Sequence, residues 1–309
     1  MKTTDELIQT YLDDLKAALA GADKATVQDA LADAEEHLRT ALESEKADQE
    51  DLAENEVIKG VIQTYGEAEE IAQAYLSWER DLPPALAATP AARRMADSAS
   101  STANAYPGFF GVFADPRAWG GLVFMLISLM TGILYFTWAV TGLSLSLGLM
   151  ILVIGIPFMI LFLLSVRGLS FLEGRLVEAL LGERMPRRAS FTDNSLGWME
   201  RLKQLLTGKS TWLGLLYMFL MLPLGIIYFT VMVTLIALAA GFIAAPVAAI
   251  VFNVPFEAIS YGEVIWHLPD YLTPLIAVLG VLLATVTMHI ARWTGKIHGK
   301  FAKALLVSD

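Results

Sequence analysis

The chain contains no cysteine, and this absence removes several kinds of chemistry. Disulfide bridges, thiolate catalysis and cysteine-ligated metal sites are all excluded. Charged residues are also scarce, at 17%, whereas hydrophobic residues make up 55% of the chain. The sequence has no phosphate-binding glycine loop, no metal-binding motif and no Ser–His–Asp order. It therefore indicates neither an enzyme nor a bound cofactor.

The few charges are distributed unevenly along the chain. Residues 1–82 carry 21 acidic and 7 basic side chains, whereas residues 83–309 carry 11 acidic and 15 basic ones. This asymmetry indicates a soluble acidic domain joined to a membrane domain with basic flanks. An acidic head does not suit nucleic acid, whose phosphates require Lys and Arg. The first residues are polar where a secretion signal would become apolar, so we expect the head to stay in the cytoplasm.

The apolar part of the chain contains an internal repeat. Residues 119–141 recur as residues 212–234, so that Trp119 matches Trp212 at an offset of 93 residues. Residues 174–181 recur as residues 299–306 at an offset of 125, which leaves about 32 extra residues in the second copy. The repeated unit is a membrane hairpin followed by a basic amphipathic tail.

The hydrophobic pattern predicts four membrane spans. They cover residues 119–141, a segment ending near residue 165, a segment starting near residue 211, and residues 272–290. The Gly- and Ser-containing segment 142–146 is expected to form the first turn, and Pro157 to kink the second span. The third apolar run is too long for one span, so we expect residues 241–252, around Pro246, to form a break, a re-entrant piece or an interfacial piece.

Positive charge predicts the orientation of these spans. Seven Lys and Arg residues, from Arg175 to Lys209, lie between the second and third spans, and four more follow the fourth span. The first outer turn carries no charge, and the second outer loop carries three acidic residues and no Lys or Arg. Because basic residues stay on the cytoplasmic side, we expect a multi-pass plasma-membrane protein with both termini in the cytoplasm.

The resulting prediction is an all-α protein with a small cytoplasmic helical domain and a four-helix transmembrane domain built from two repeated hairpins. Residues 1–82 form the head, in which Thr3 and Glu6 suggest a capping box and Gly66 a helix end. Residues 83–116, rich in Pro, Ala and Ser, form a linker. Residues 117–309 form the membrane domain, and the glycines at 120, 121, 132, 214 and 225 are expected to pack its repeats together.

The head resembles a known family. The segments YLDDL (residues 11–15), DAEEHL (33–38) and YGEAEEIA (65–72) are similar to the HAAS signalling domain, a small helical cytoplasmic module of bacterial membrane proteins. The resemblance covers about residues 4–78. It implies a cytoplasmic protein partner, of the PadR type of transcriptional regulator. Asp33, Glu36, His37 and Glu69 are the candidate partner-binding residues of the head.

The membrane half also resembles a family, the four-span sensor domain found at the front of some prokaryotic histidine kinases. Trp119 with Gly132, the GIP segment at 155–157, the tail at 167–182 and the second copy beginning at Trp212 carry this resemblance. It covers nearly all of residues 116–307. The resemblance implies a sensor and supplies no catalytic residues.

Basic residues at the inner ends of the spans are candidates for contacts with lipid or with the head. Arg167 and Arg292 occupy equivalent repeat positions, where snorkelling to the interface is the alternative explanation. The tails at 169–182 and 293–306 have the pattern of helices that lie on an anionic leaflet. They are also candidate docking sites for the acidic head. The candidate residues are Arg167, Arg175, Arg292, Lys296 and Lys300.

The extra residues of the second repeat, at about 255–274, form the candidate ligand-sensing loop. Glu263, His267 and Asp270 stand at helical spacings that would allow a cation site, although a single histidine without cysteine makes a metal an unfavoured reading. The aromatic residues there suit the membrane–water boundary. The candidate sensing residues are Glu257, Tyr261, Glu263, Trp266, His267 and Asp270.

Two functions remain open at this point. The first is a non-catalytic sensor that relays a membrane or envelope state through its head to a regulator. The second is a transport component, such as the permease-like subunit of an exporter, because duplication is common in transporters. The centres of the predicted spans contain no acid or base, and this argues against an ion route.

Overall fold

The computed structural model describes residues 3–48, 54–81, 108–151, 155–187, 203, 206–252, 257–261, 264–267 and 272–307. The chain is almost entirely helical over these residues, which confirms the predicted all-α class. One short antiparallel hairpin, β1 (Glu257–Tyr261) with β2 (Val264–His267), interrupts the helices.

The head is a bundle of four amphipathic helices: α1 (Thr4–Ala18), α2 (Lys24–Asp48), α3 (Glu54–Tyr65) and α4 (Ala68–Asp81). Helix α1 packs against the other three, and Leu15, Leu38 and Ile58 are fully buried in the shared core. The predicted apolar stripe of the first helix is confirmed, since all five of its residues are buried: Ile8, Tyr11, Leu12, Leu15 and Leu19. The head therefore has a hydrophobic core of its own.

Local hydrogen bonds fix the ends of the head helices. The predicted capping box is confirmed, because Thr3 Oγ1 accepts from the Glu6 amide at 3.3 Å and Glu6 Oε2 accepts from the Thr3 amide at 2.8 Å. Gly66 ends α3 with a φ of 114°, a conformation that favours glycine. Tyr11 of α1 donates its hydroxyl to the Gly66 carbonyl at 2.9 Å, which ties this turn to the core.

The membrane domain begins with a 3-10 helix, Phe109–Ala114, and continues with α5 (Pro116–Leu149) and α6 (Gly155–Leu181). The second repeat is formed by α7 (Lys209–Phe252) and α8 (Thr273–Leu306), with the β hairpin between them. Helices α5 to α8 are each long and apolar enough to cross a membrane. The most extensive contact in the domain lies between α5 and α7, the first helices of the two repeats.

The predicted helix boundaries need three corrections. Residues 142–146 are not a turn, since α5 continues to Leu149 and the Ser146 hydroxyl donates to the Gly142 carbonyl at 2.6 Å inside the helix. Residues 241–252 are neither a break nor re-entrant, because α7 runs unbroken through Pro246 to Phe252. Pro157 lies in the first turn of α6, where a missing amide costs nothing, and so does not interrupt a span.

The glycines at the crossing of α5 and α7 confirm the predicted packing of the repeats. A Cβ atom on Gly132 would lie 2.6 Å from the Met221 carbonyl oxygen, and one on Gly225 would lie 2.4 Å from the Ser128 carbonyl oxygen. Ser128 and Met221 are themselves equivalent at the repeat offset of 93. The two repeats therefore meet through a twofold-related pair of contacts, each of which has room only for glycine.

The amphipathic tails, for which the sequence predicted helices lying on an anionic leaflet, are not separate helices. They are the last turns of the continuous helices α6 and α8. Their apolar faces are used inside the protein, since Val177, Leu181 and Ala302 are buried in the same core cluster. Part of the apolar surface of the tails remains outside this core, since Leu172, Trp293 and Ile297 are exposed.

Candidate functional site

A buried carboxylate lies between the two repeats. Glu173 of α6 is 1% exposed. Its Oε2 accepts the hydroxyl of Tyr135 from α5 at 2.8 Å, and its Oε1 accepts the hydroxyl of Tyr217 from α7 at 2.7 Å. Each carboxylate oxygen thus has a phenol donor, which is the arrangement that makes a buried acid tolerable.

The same cluster contains a buried imidazole. His298 of α8 is 1% exposed, and its two ring nitrogens each face a tyrosine hydroxyl. The distance from Nε2 to the hydroxyl oxygen of Tyr217 is 3.0 Å, and that from Nδ1 to the hydroxyl oxygen of Tyr228 is 3.3 Å. Tyr217 therefore connects Glu173 to His298, and we refer to Tyr135, Glu173, Tyr217, Tyr228 and His298 as the buried cluster.

The internal repeat explains how the buried cluster is assembled. Glu173 and His298 are equivalent at the offset of 125, and Tyr135 and Tyr228 are equivalent at the offset of 93. Tyr217 is equivalent to Phe124, whose ring centroid lies 4.7 Å from that of His298. The contacts of one repeat are thus reproduced in the other, but an acid in the first copy is replaced by a base in the second.

Sequence reasoning missed the buried cluster. The centres of the predicted spans contain no acid or base, but α6 and α8 extend past those spans and bury Glu173 and His298. The repeat register contained the necessary signal, since each of these residues directly precedes the matched glycine at 174 or 299. The repeat register shows that positions 173 and 298 are equivalent, but it does not show that their side chains lie in one cluster.

A second candidate site joins the head to the membrane domain. Lys303 Nζ of α8 forms an ion pair with Asp23 Oδ2, with side-chain exposures of 16% and 29%. The Arg187 amide, just beyond α6, donates to Asp29 Oδ1 at 2.8 Å. Asp23 also caps α2 by accepting from the Ala25 amide at 2.9 Å. We call Asp23, Asp29, Arg187 and Lys303 the head–tail contact.

Three of the basic residues chosen from the sequence have partners within the membrane domain. Arg167 donates to Thr211 Oγ1 at 3.0 Å, and Arg292 pairs with Asp115 at 2.9 Å, so both bond within the membrane domain. Arg175 pairs with Glu178 at 2.7 Å and stacks on a phenylalanine ring. Lys296 and Lys300 are exposed. Lys303 and Arg187, from the same two basic groups of the sequence, form bonds to the head.

The candidate residues of the head are only partly available to a partner. Glu36, His37 and Glu69 are exposed, and the His37 ring lies 4.7 Å from the Tyr65 ring. Asp33 instead accepts the hydroxyl of Tyr75 at 2.5 Å, which fixes α4 on α2. Its role in the structure is therefore to hold the head together.

The candidate ligand-sensing loop forms a β hairpin over residues 257–261 and 264–267. Glu257 pairs with His267, and Tyr261 with Val264, in the ladder of the β hairpin, and Trp266 lies in β2. The predicted helical face of Glu263, His267 and Asp270 is therefore wrong, because His267 belongs to a strand. Glu263 and Asp270 lie outside the described residues, and within the described residues no group of three metal-ligating side chains is found.

These features define a class of protein: a multi-pass membrane protein made of two helical hairpins in tandem, with a helical head attached. A family model described as "Putative sensor" matches residues 124–306, more than half of the chain, and a model described as "HAAS" matches residues 10–74. The chain belongs to the sensor family and carries a HAAS domain at its head. Neither a curated protein nor a solved structure matches the chain.

Proposed function

We propose that this protein is a non-catalytic membrane sensor whose membrane domain controls the access of a cytoplasmic regulator to the head. The sensor family, the HAAS domain and the four apolar helices all fit a membrane signalling role. The excess of Lys and Arg beside the head supports a cytoplasmic location of both termini. The HAAS resemblance supports a regulator partner, of the PadR type.

The head–tail contact is the observation that carries this proposal. Asp23 and Asp29 lie near the start of one rigid helix, roughly 9 Å apart along its axis. Asp23 pairs with Lys303 of the second repeat, and Asp29 bonds to Arg187 at the end of the first repeat. Because one helix spans both tails, it can keep both contacts only in one placement of the repeats. A shift of one repeat against the other therefore loosens the head.

The outer hairpin is the proposed input. It joins α7 to α8, and α8 runs without interruption from Thr273 to Leu306. A helix of this length reaches roughly 50 Å, so a displacement at its outer end moves Lys303 with it. The residues we propose to receive a stimulus are Glu257, Tyr261, Glu263, Trp266, His267 and Asp270. Replacement of residues 253–271 by a Gly-Ser linker of equal length should abolish the response and leave the head–tail contact intact.

Crosslinking and affinity capture of the full chain from its native membrane tests the relay. We expect a DNA-binding regulator to be captured by the full chain and not by residues 83–309. Lys303→Glu places a negative charge beside Asp23, so it should free the head and increase this capture. Lys300→Glu, the same charge change at an exposed lysine three residues away, is the matched control. Asp23→Lys combined with Lys303→Glu should restore the original level.

Two outcomes would overturn the relay. Equal capture of the regulator by the full chain, by the Lys303→Glu variant and by residues 83–309 would show that the head is not the output. Capture of an ATPase by residues 83–309 would instead favour a transport component, a function that the buried acid and base also allow.

A further inference from the structure

We propose that the buried cluster is a proton-binding site, in which Glu173 and His298 share one proton through the hydroxyl of Tyr217. The proposal goes beyond the signalling role and does not depend on it. It rests on the positions of the hydrogens in the hydrogen bonds between the five side chains of the buried cluster. It also rests on the position of the cluster at the interface between the two repeats.

The hydrogen count of Tyr217 determines the direction of each bond. Its single hydroxyl hydrogen is donated to Glu173 Oε1, so its oxygen can only accept at the 3.0 Å contact with His298. His298 Nε2 therefore carries a hydrogen in this arrangement. The result is a continuous donor chain from the imidazole through the phenol to the carboxylate.

The second ring nitrogen of His298 provides the place for an additional proton. When Nδ1 has no hydrogen, it accepts from the Tyr228 hydroxyl, and when it is protonated, it donates to the same oxygen at 3.3 Å. Both forms satisfy the hydrogen-bonding groups without movement of a heavy atom. With an ionised Glu173, the cluster carries one negative charge in the first form and no net charge in the second.

The donor chain also provides a route between the two titrating groups. From the form in which both ring nitrogens of His298 are protonated, the Nε2 hydrogen passes to the oxygen of Tyr217 while the Tyr217 hydrogen passes to Glu173 Oε1. The products are a neutral imidazole with its hydrogen on Nδ1 and a protonated Glu173, and the tyrosine is unchanged. The titratable groups that face Glu173 and His298 are Tyr135 from α5 and Tyr217 and Tyr228 from α7. Among the described residues, the charge of the cluster therefore depends on this one proton.

Because the titrating groups come from both repeats, proton binding bears on how the repeats pack. Glu173 belongs to the first repeat, whereas His298, Tyr217 and Tyr228 belong to the second. An uncompensated charge in the interior is unfavourable, and a proton that removes it strengthens the interface in which it lies.

Infrared difference spectroscopy of the full chain in lipid nanodiscs tests the proposal. The carboxyl band of Glu173 is identified by its loss in Glu173→Gln, and its titration is followed over about pH 4 to 9. In His298→Gln we expect the proton affinity of Glu173 to change at least tenfold, that is, by one pH unit. Tyr217→Phe keeps both titrating groups and removes only the connecting oxygen.

Tyr217→Phe is the variant least at risk of misfolding, because Phe124 occupies the equivalent position of the first repeat. In the Tyr217→Phe background, His298→Gln should shift the Glu173 midpoint less than in the otherwise native chain, because the two charges still interact through space but no proton can pass between them. The proposal is overturned if His298→Gln has no effect on that midpoint in the otherwise native chain, or if Glu173 does not titrate in the measured range. It is also overturned if the shift caused by His298→Gln is as large without the Tyr217 hydroxyl as with it.

Discussion

Alanine in place of Gly132 should weaken the membrane domain by separating α5 from α7. The added Cβ would lie 2.6 Å from the Met221 carbonyl oxygen and 3.0 Å from the Leu222 Cα. Ordinary contact begins at about 3.4 Å, and both neighbours are backbone atoms that no side-chain rotation can remove. The two helices therefore have to move apart by nearly 1 Å at their most extensive contact.

The expected magnitude follows from two opposing effects. Overpacking of a well-packed interface typically costs about 1–3 kcal/mol. Alanine is also a better helix former than glycine by about 1 kcal/mol, which partly offsets this cost. Gly168→Ala on α6 is the matched control, because a Cβ there has no atom within 4 Å and only the favourable effect applies. The two variants should differ in unfolding free energy by about 1–3 kcal/mol.

Reversible unfolding of the full chain by SDS in mixed micelles, followed by circular dichroism, measures this difference. Gly225→Ala should behave like Gly132→Ala, because its Cβ would lie 2.4 Å from the Ser128 carbonyl oxygen at the same crossing. The double variant should cost less than the sum of the single ones, since one separation relieves both clashes. If Gly132→Ala were as stable as Gly168→Ala, the close crossing of the repeats would be refuted.

Three further changes test other parts of the fold. Tyr11→Phe removes the bond to the Gly66 carbonyl and should destabilise the head by about 0.5–1.5 kcal/mol in thermal unfolding. Burial raises the pKa of Tyr11 to about 12. The protonated hydroxyl therefore contributes its full stabilisation below about pH 10, and this contribution is lost between about pH 10 and 12. The phenylalanine variant should not show this pH dependence. Trp119→Phe and Trp212→Phe should have equal, small effects on SDS unfolding. The Trp119 indole donates to the Phe113 carbonyl at 2.8 Å, and the Trp212 indole donates to the Leu206 carbonyl at 2.7 Å. Phe113 and Leu206 are themselves equivalent at the repeat offset of 93. Unequal effects would contradict the symmetry of the repeats.

The sequence was sufficient to predict features that depend on local pattern. Helix existence, the capping box at Thr3, the helix end at Gly66 and the tight glycines of the repeat all follow from residue type and spacing. The turn at residues 142–146 was placed wrongly because a serine can satisfy its hydroxyl on the helix carbonyl four residues earlier.

Features that depend on how helices meet were not predictable in this way. The hairpin at β1 and β2 follows from β-branched residues such as Ile259 and Val264, which favour strands over the helical spacing of the acids. Glu173 and His298 are polar residues within the amphipathic tails, and only the packing of α6 and α8 buries them. Lys303 was one of several similar lysines, and its partner Asp23 is distant in the chain.

The buried cluster has a consequence for why the two hairpins are held in one polypeptide. If a single hairpin assembled as a symmetric homodimer, every residue would face the same type of environment in both subunits, and positions 173 and 298 would have to be identical. Two acids or two imidazoles would then occupy the interior. Tandem fusion removes this restriction, because each copy can change independently. An acid and a base can thereby occupy matching positions, an asymmetry that no assembly of identical hairpins can reach.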